Sequence, residues 1–175
     1  ASYHIAPFLK ATLATLVAEY KGSYDYRTDV FPAQEIENGT YFIMHEGKYL
    51  SNQSEGVAGT APTFVDKRDD VKPQRQEWQI AIDPETGRYK ITNQLDNRYL
   101  NELGQFTQNN STNPYEPVWH TYYILRMANG KYCIQNGGKA GDKFWTVSNS
   151  RVVQSGSNSI EPDQFIFDLV PVAGE

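Results

Sequence analysis

Near the start of the chain the apolar positions fall on one stripe. Leu9, Leu13, Leu16, Val17 and Tyr20 recur at the 3.6-residue period of an amphipathic helix. Pro7 suits its first turn and Gly22, after Lys21, suits its end, so the pattern predicts a short N-terminal α-helix over 5–21. Residues 22–37 carry Tyr24, Tyr26, Phe31 and Pro32 among charges and read as a strap whose aromatics pin it to the body. From Asn38 onward the period changes to two, with turn residues every eight to twelve positions, which predicts an all-β sandwich or barrel. The chain therefore divides into a helix and strap over 1–37 and a β domain over 38–175.

Within the β domain the strands repeat. Gly39-Thr40-Tyr41-Phe42-Ile43, Gly87-Arg88-Tyr89-Lys90-Ile91 and Gly130-Lys131-Tyr132-Cys133-Ile134 are all Gly-x-Tyr-x-Ile. Two-residue spacing puts each Tyr and Ile on one face, inward, with Phe42, Lys90 and Cys133 on the other. A second strand follows each time, at Tyr49-Leu50, Tyr99-Leu100 and Phe144-Trp145. A third recurrence places Trp78, Trp119 and Phe165 ahead of apolar strands, with Gln76 two residues before Trp78. The last strand, within 165–172, ends the β region where the first Gly-x-Tyr-x-Ile strand begins it. The two ends are expected to pair and close a three-repeat barrel without an exposed edge.

Three repeats with Gln76-Glu77-Trp78 and Gly47-Lys48-Tyr49-Leu50 elements resemble the β-trefoil of the ricin-type B lectins, over roughly residues 38–173. The resemblance implies that Tyr41, Tyr89, Tyr132, Trp78, Trp119 and Phe165 pack the barrel and its cap. It also implies one sugar pocket per repeat, built from a carboxylate after the Tyr-Leu strand, a stacking aromatic and an amide. A pyranose needs an acceptor for vicinal hydroxyls, a flat ring for its C–H face and a group that both donates and accepts. Here the carboxylate position reads Ser51, Asn101 and Thr146, so no repeat keeps the usual Asp. In the first repeat Asn52, Phe64, Asp66, Asp69 and Gln74 are candidate replacements. The second repeat carries the densest set, Asn101, Glu102, Gln105, Phe106, Asn109, Asn113 and Tyr115. The third, with Trp145, Asn149, Arg151 and Gln154, is sparse. The expected ligand-facing aromatics are Phe64, Phe106 and Tyr115, and truncating Phe106 or Tyr115 is expected to weaken binding without unfolding.

Composition narrows the partners. The 175 residues include 16 Lys and Arg against 21 Asp and Glu, for a net charge of −5, so there is no bulk basic charge to hold a phosphate backbone. Aromatics make up 13% of the chain, a surplus that suits both β structure and stacking faces. Mean hydropathy is −0.62, in keeping with a soluble globular domain, and no uninterrupted apolar run is long enough to span a bilayer. The opening Ala1-Ser2-Tyr3-His4 has no basic stretch before an apolar one, so no signal peptide is read here, and a secreted, cell-surface or periplasmic location is expected. The single cysteine, Cys133, excludes an intramolecular disulfide and a cysteine zinc cluster and reads as inert packing. Four sequons begin at Asn38, Asn52, Asn109 and Asn110.

Catalytic chemistry is not legible. Glycoside hydrolysis needs two carboxylates across a cleft, and neither that pair nor a His-x-x-x-His spacing stands out among His4, His45 and His120. No Gly-x-Ser-x-Gly elbow or phosphate loop occurs. The expectation is a non-catalytic carbohydrate-binding module with no cofactor or metal, an accessory to a glycan-degrading domain upstream in the same gene product. The alternatives are a β-trefoil protease inhibitor, presenting 54–62 or 109–117, and a protein–protein docking domain.

Overall fold

The computed structural model describes residues 30–31, 36–54, 57, 59–69, 72–84, 88–101, 104–107, 120–127, 130–136, 143–156 and 164–172. The helix expected over 5–21 lies outside these. The described residues form eleven strands: β1 Val30–Phe31, β2 Gly39–His45, β3 Lys48–Ser51, β4 Thr63–Val65, β5 Trp78–Asp83, β6 Arg88–Asn93, β7 Thr121–Met127, β8 Tyr132–Asn136, β9 Lys143–Ser148, β10 Arg151–Gly156 and β11 Asp168–Pro171.

Six of them form a closed circuit. Strand β2 pairs with β5, β5 with β6, β6 with β7 and β7 with β8, all antiparallel. Tyr132 and Phe167 exchange backbone hydrogen bonds of 2.9 and 2.8 Å, joining β8 to the last segment. That segment returns to β2 with Leu169 opposite Ile43, so the two ends of the β domain meet as the repeats predict. Each repeat also contributes a hairpin, at β3–β4, at the bridge between Leu100 and Phe106, and at β9–β10. The three hairpins touch one another. Thr63 pairs with Arg151, Phe106 donates to Thr60 and accepts from Gly59, and Gly104 lies on Val152. Gly104 has φ +74°, and a Cβ there would sit 3.0 Å from Val152 Cγ1, so both conformation and space favour glycine. This barrel with a three-hairpin cap is trefoil-like and all-β.

Ladder register gives the repeat equivalences. Trp78 lies opposite Tyr41, Tyr122 opposite Tyr89, and Phe167 opposite Tyr132. By register the counterparts of Trp78 are therefore Tyr122 and Phe167; Phe165 is buried but does not hold that place, and Trp119 lies outside the described residues. The sequence recurrence is displaced because aromatics crowd this segment, and only pairing tells them apart. All three rings are essentially inaccessible, and Ile43, Ile91, Ile134, Leu50 and Leu100 pack with them. The Trp78 indole donates to the Leu50 carbonyl at 3.0 Å, tying the barrel wall to the first hairpin.

Strand β8 departs from the alternation. Cys133, Ile134, Gln135 and Asn136 are all buried while Tyr132 is half-buried, because β8 is paired on both edges and its outer face is covered too. The described end of the strap, Ile36 and Glu37, is held by the barrel's own tyrosines. Tyr89 Oη accepts from the Ile36 amide at 3.0 Å and donates to the Ile36 carbonyl at 3.2 Å, while the Tyr41 hydroxyl donates to Glu37. Upstream, β1 pairs with β7, Val30 opposite Met127.

Replacing Trp78 by Ala removes a fully buried indole and its hydrogen bond, and is expected to cost about 3–5 kcal/mol. A urea melt reads this as a lowered midpoint with an unchanged slope.

Candidate functional site

The polar residues nominated in the first repeat divide into a buried node and an exposed loop. Asn52 is buried. Its amide nitrogen donates to Asn93 Oδ1 and to Asp96 Oδ2, each at 3.1 Å, and its Oδ1 accepts the Ser54 amide at 3.0 Å. Arg75 closes the node. Its guanidinium donates to the Asn52 carbonyl at 2.8 Å, and its own carbonyl accepts from Asn93 Nδ2 at 3.1 Å. Every polar atom of the Asn52 side chain is thus committed to joining the first and second repeats, which removes Asn52 from the sugar-facing set. The same burial takes its sequon out of reach in the folded chain, whereas Asn38 is exposed.

Phe64 and Phe106 are likewise core residues rather than ligand-facing rings. Phe106 stacks on Trp78 with ring centroids 5.9 Å apart and planes within 6° of parallel. Phe64 stacks on Phe167 at 6.1 Å. Their strands alternate in a direction the loop-like sequence around them conceals: each ring lies opposite a core leucine, Phe64 across from Leu50 and Phe106 across from Leu100.

The exposed remainder of the first repeat is the loop 66–69. Buried Gln76 anchors it, donating to the Asp66 carbonyl and accepting the Arg68 amide, each at 2.9 Å. The Gln of the Gln-x-Trp element is therefore a tether between the 3-10 turn Pro73–Gln76 and this loop. Asp69 and Gln74 are both exposed. Asp69 pairs with Lys67 at 3.4 Å, and Asp66 pairs with Lys48. Lys67 also stands over the rings of Phe42 and Tyr49, 5.1 and 5.9 Å from their centroids. Two exposed carboxylates, a half-exposed tyrosine and an ammonium group thus converge on one outer wall. Tyr49 and Lys67 were missed from the sequence because Tyr49 sits in a strand whose next residue, Leu50, is core. The alternation that sends Leu50 inward is the signal that sends Tyr49 out.

In the second repeat Asn101 and Gln105 close a tight turn. The Gln105 amide donates to Asn101 Oδ1 at 3.0 Å, and the Asn101 amide donates to the Gln105 carbonyl at 2.8 Å. Both side chains are half-exposed. Glu102, Asn109, Asn113 and Tyr115 lie outside the described residues. Half-exposed aromatics here also carry cations, Lys90 over Tyr99 at 4.9 Å and Arg88 over Tyr123 at 5.2 Å.

The titratable core groups are packing. His45 lies between Phe64 and Phe167, with Nδ1 3.1 Å from the Ile166 carbonyl, and His120 is buried beside Tyr99. Among the described residues no group of three His, Cys, Asp or Glu side chains could hold a metal ion, and no helix is long and apolar enough to cross a membrane. Burial pushes the Cys133 thiol up to about 12. Burial, with smaller contributions from Tyr132 and Glu37, raises Tyr41 above its ordinary value.

No protein-family model matches the chain, and no curated protein sequence does. Solved structures match in fold. A mosquitocidal holotoxin aligns over 79% of this chain and 18% of its own, with TM-score 0.64 and 16% identity. An α-L-arabinofuranosidase aligns over 79% of this chain and 32% of its own, with TM-score 0.63 and 8% identity. A lectin from Polyporus squamosus, solved with an influenza-binding epitope, aligns over 78% of this chain and 50% of its own, with TM-score 0.54 and 17% identity. The likeness is one of fold. The chain spans from about a fifth to half of the length of these three proteins.

Two outcomes are expected. Asn52→Ala strips partners from Asn93, Asp96 and the Ser54 amide, and should cost about 1–3 kcal/mol by chemical denaturation. For Cys133, the thiolate is the reactive form, so iodoacetamide at pH 8 should leave the folded chain unlabelled and label the denatured chain. The raised thiol stays protonated in the fold after the unfolded chain has lost its proton. Its contribution is therefore complete below pH 9 and is lost as the pH climbs toward about 12. Thermal midpoints should fall across that window, less steeply in Cys133→Ala.

Proposed function

We propose that this chain is a non-catalytic carbohydrate-binding module of the ricin-type B kind, acting outside the cell as an accessory to a larger glycan-active protein. The observation that carries this reading is the fold match to a glycan-bound lectin and to a glycosidase of which the module occupies about a third. The fold buries most of its described repeat aromatics and leaves polar loops at the surface, an arrangement that supports recognition by side chains on a rigid scaffold.

Two sites follow. In the first repeat, Asp66 and Asp69 supply acceptors for vicinal hydroxyls, Tyr49 supplies a ring and Lys67 a donor. In the second, Asn101 and Gln105, with Glu102, Asn109, Asn113 and Tyr115, supply amides, a carboxylate and an aromatic. Lys67 competes for the ring face in the first site, so a sugar must displace it or bind its ammonium group. Single-site affinity for a monosaccharide is expected near ~1 mM, and useful retention comes from engaging several sites on one polymer.

A glycan array followed by calorimetry tests the reading, and absence of binding to every oligo- and polysaccharide would overturn it. On the glycan selected, Tyr115→Ala or Asp69→Ala should weaken binding at least several-fold with an unchanged melting profile. Phe106→Ala, by contrast, should lower stability by about 3–5 kcal/mol, as a core truncation does.

A further inference from the structure

The third repeat breaks the apolar rule of the other two at one place in the cap. In the first hairpin Leu50 faces Phe64, and in the second Leu100 faces Phe106; all four are buried hydrocarbons. In the third, the ladder sets Trp145 opposite Gln154. A leucine–phenylalanine pair has become a tryptophan–glutamine pair, which brings an indole N–H and a whole carboxamide into a position that is otherwise dry.

The same neighbourhood holds a second amide. Asn136 lies opposite Tyr122, and the Tyr122 ring packs edge-on against Trp145 with centroids 5.2 Å apart. By register Asn136, Trp145 and Gln154 thus take, beside Tyr122, the places that Asn93, Leu100 and Phe106 take beside Trp78, and His45, Leu50 and Phe64 beside Phe167. Both amide atoms of Asn93 are bonded, Oδ1 accepting from Asn52 and Leu95 and Nδ2 donating to Arg75. In the third repeat Trp145 Nε1, both amide atoms of Asn136 and both of Gln154 are buried with no hydrogen-bond partner among the described residues. Asn136 and Trp145 are wholly inaccessible, and Gln154 is half-exposed as a residue while both of its amide atoms are buried, so all five polar atoms are internal.

Leaving one such group unpaired costs about 1–3 kcal/mol, and five in one cluster is a standing demand for a partner. All five are neutral, three nitrogens that donate and two oxygens that accept. An anion would leave the oxygens facing it unfavourably, and a cation the N–H groups. A hydroxyl group donates and accepts at once and satisfies both. We propose that the third repeat contains an internal site for neutral hydroxyl groups, formed by Asn136, Trp145 and Gln154 around Tyr122. Its occupant is either ordered water or the hydroxyls of a small polyol or sugar. The site stands apart from the surface loops of the first and second repeats and does not depend on their binding glycan.

The test follows the Trp145 indole N–H signal in the 15N-labelled full chain, assigned with Trp145→Phe. Cross-relaxation to a long-lived water, unaffected by added sugar, supports the site with water as occupant. Displacement of the signal by a monosaccharide panel or glycerol supports it with a polyol as occupant. Neither effect, or a scalar coupling from the indole N–H to a protein carbonyl, overturns the proposal. Gln154→Phe rebuilds the apolar pairing of the other repeats and should abolish whichever signal is seen; Gln154→Met, closer in volume, serves if that variant does not fold. A signal unchanged in the folded variant also overturns it. Tyr115→Ala should leave the signal as in the parent chain, separating failure of this site from failure of the loop reading.

Discussion

The return of the last strand to the first is the constraint on which the molecule depends. Strand β11 lies on β2 with Leu169 against Ile43, and without that ladder two barrel strands would present unpaired edges. Closure also creates the interior in which Trp78, Tyr122 and Phe167, one from each repeat, are inaccessible. Because those contacts join distant parts of the chain, the core exists only when all three repeats are assembled.

Closure at one end leaves the other end to be capped, and the three hairpins do this by touching pairwise. Their packing explains why glycine is favoured at 104 and why Phe64 and Phe106 turn inward. It also concentrates polar chemistry at the seams between repeats. The node of Asn52, Asn93, Asp96 and Arg75 fills the seam between the first and second repeats with hydrogen bonds among protein groups. The seam around Tyr122 carries the same kind of amide, Asn136, with a different set of neighbours. Approximate three-fold symmetry thus makes each departure from it visible, the Trp145 and Gln154 pair among them.

The aromatic surplus has two fates that a residue count does not separate. Rings at Gly-x-Tyr-x-Ile and in the cap are structural, while Tyr49, Tyr99 and Tyr123 keep one side toward solvent under a lysine or arginine. A cation over a ring both stabilises the wall and marks a surface on which a flat, polar-edged ligand can compete.

The sequence alone determined the strand period from Asn38 onward, the recurring strand pattern, the inward Tyr and Ile of its first two occurrences, and the meeting of the two ends. All of these are local or periodic properties, which side-chain order along a strand is enough to specify. Tertiary structure alone decided that Tyr122 and Phe167 are the repeat counterparts of Trp78, since several aromatics stand close together in the sequence and only cross-strand register selects among them. It also decided that Asn52, Phe64 and Phe106 belong to the interior. An Asn or Phe beside turn residues looks equally fit for a surface loop or a buried seam, and the choice is made by what a distant repeat places against it.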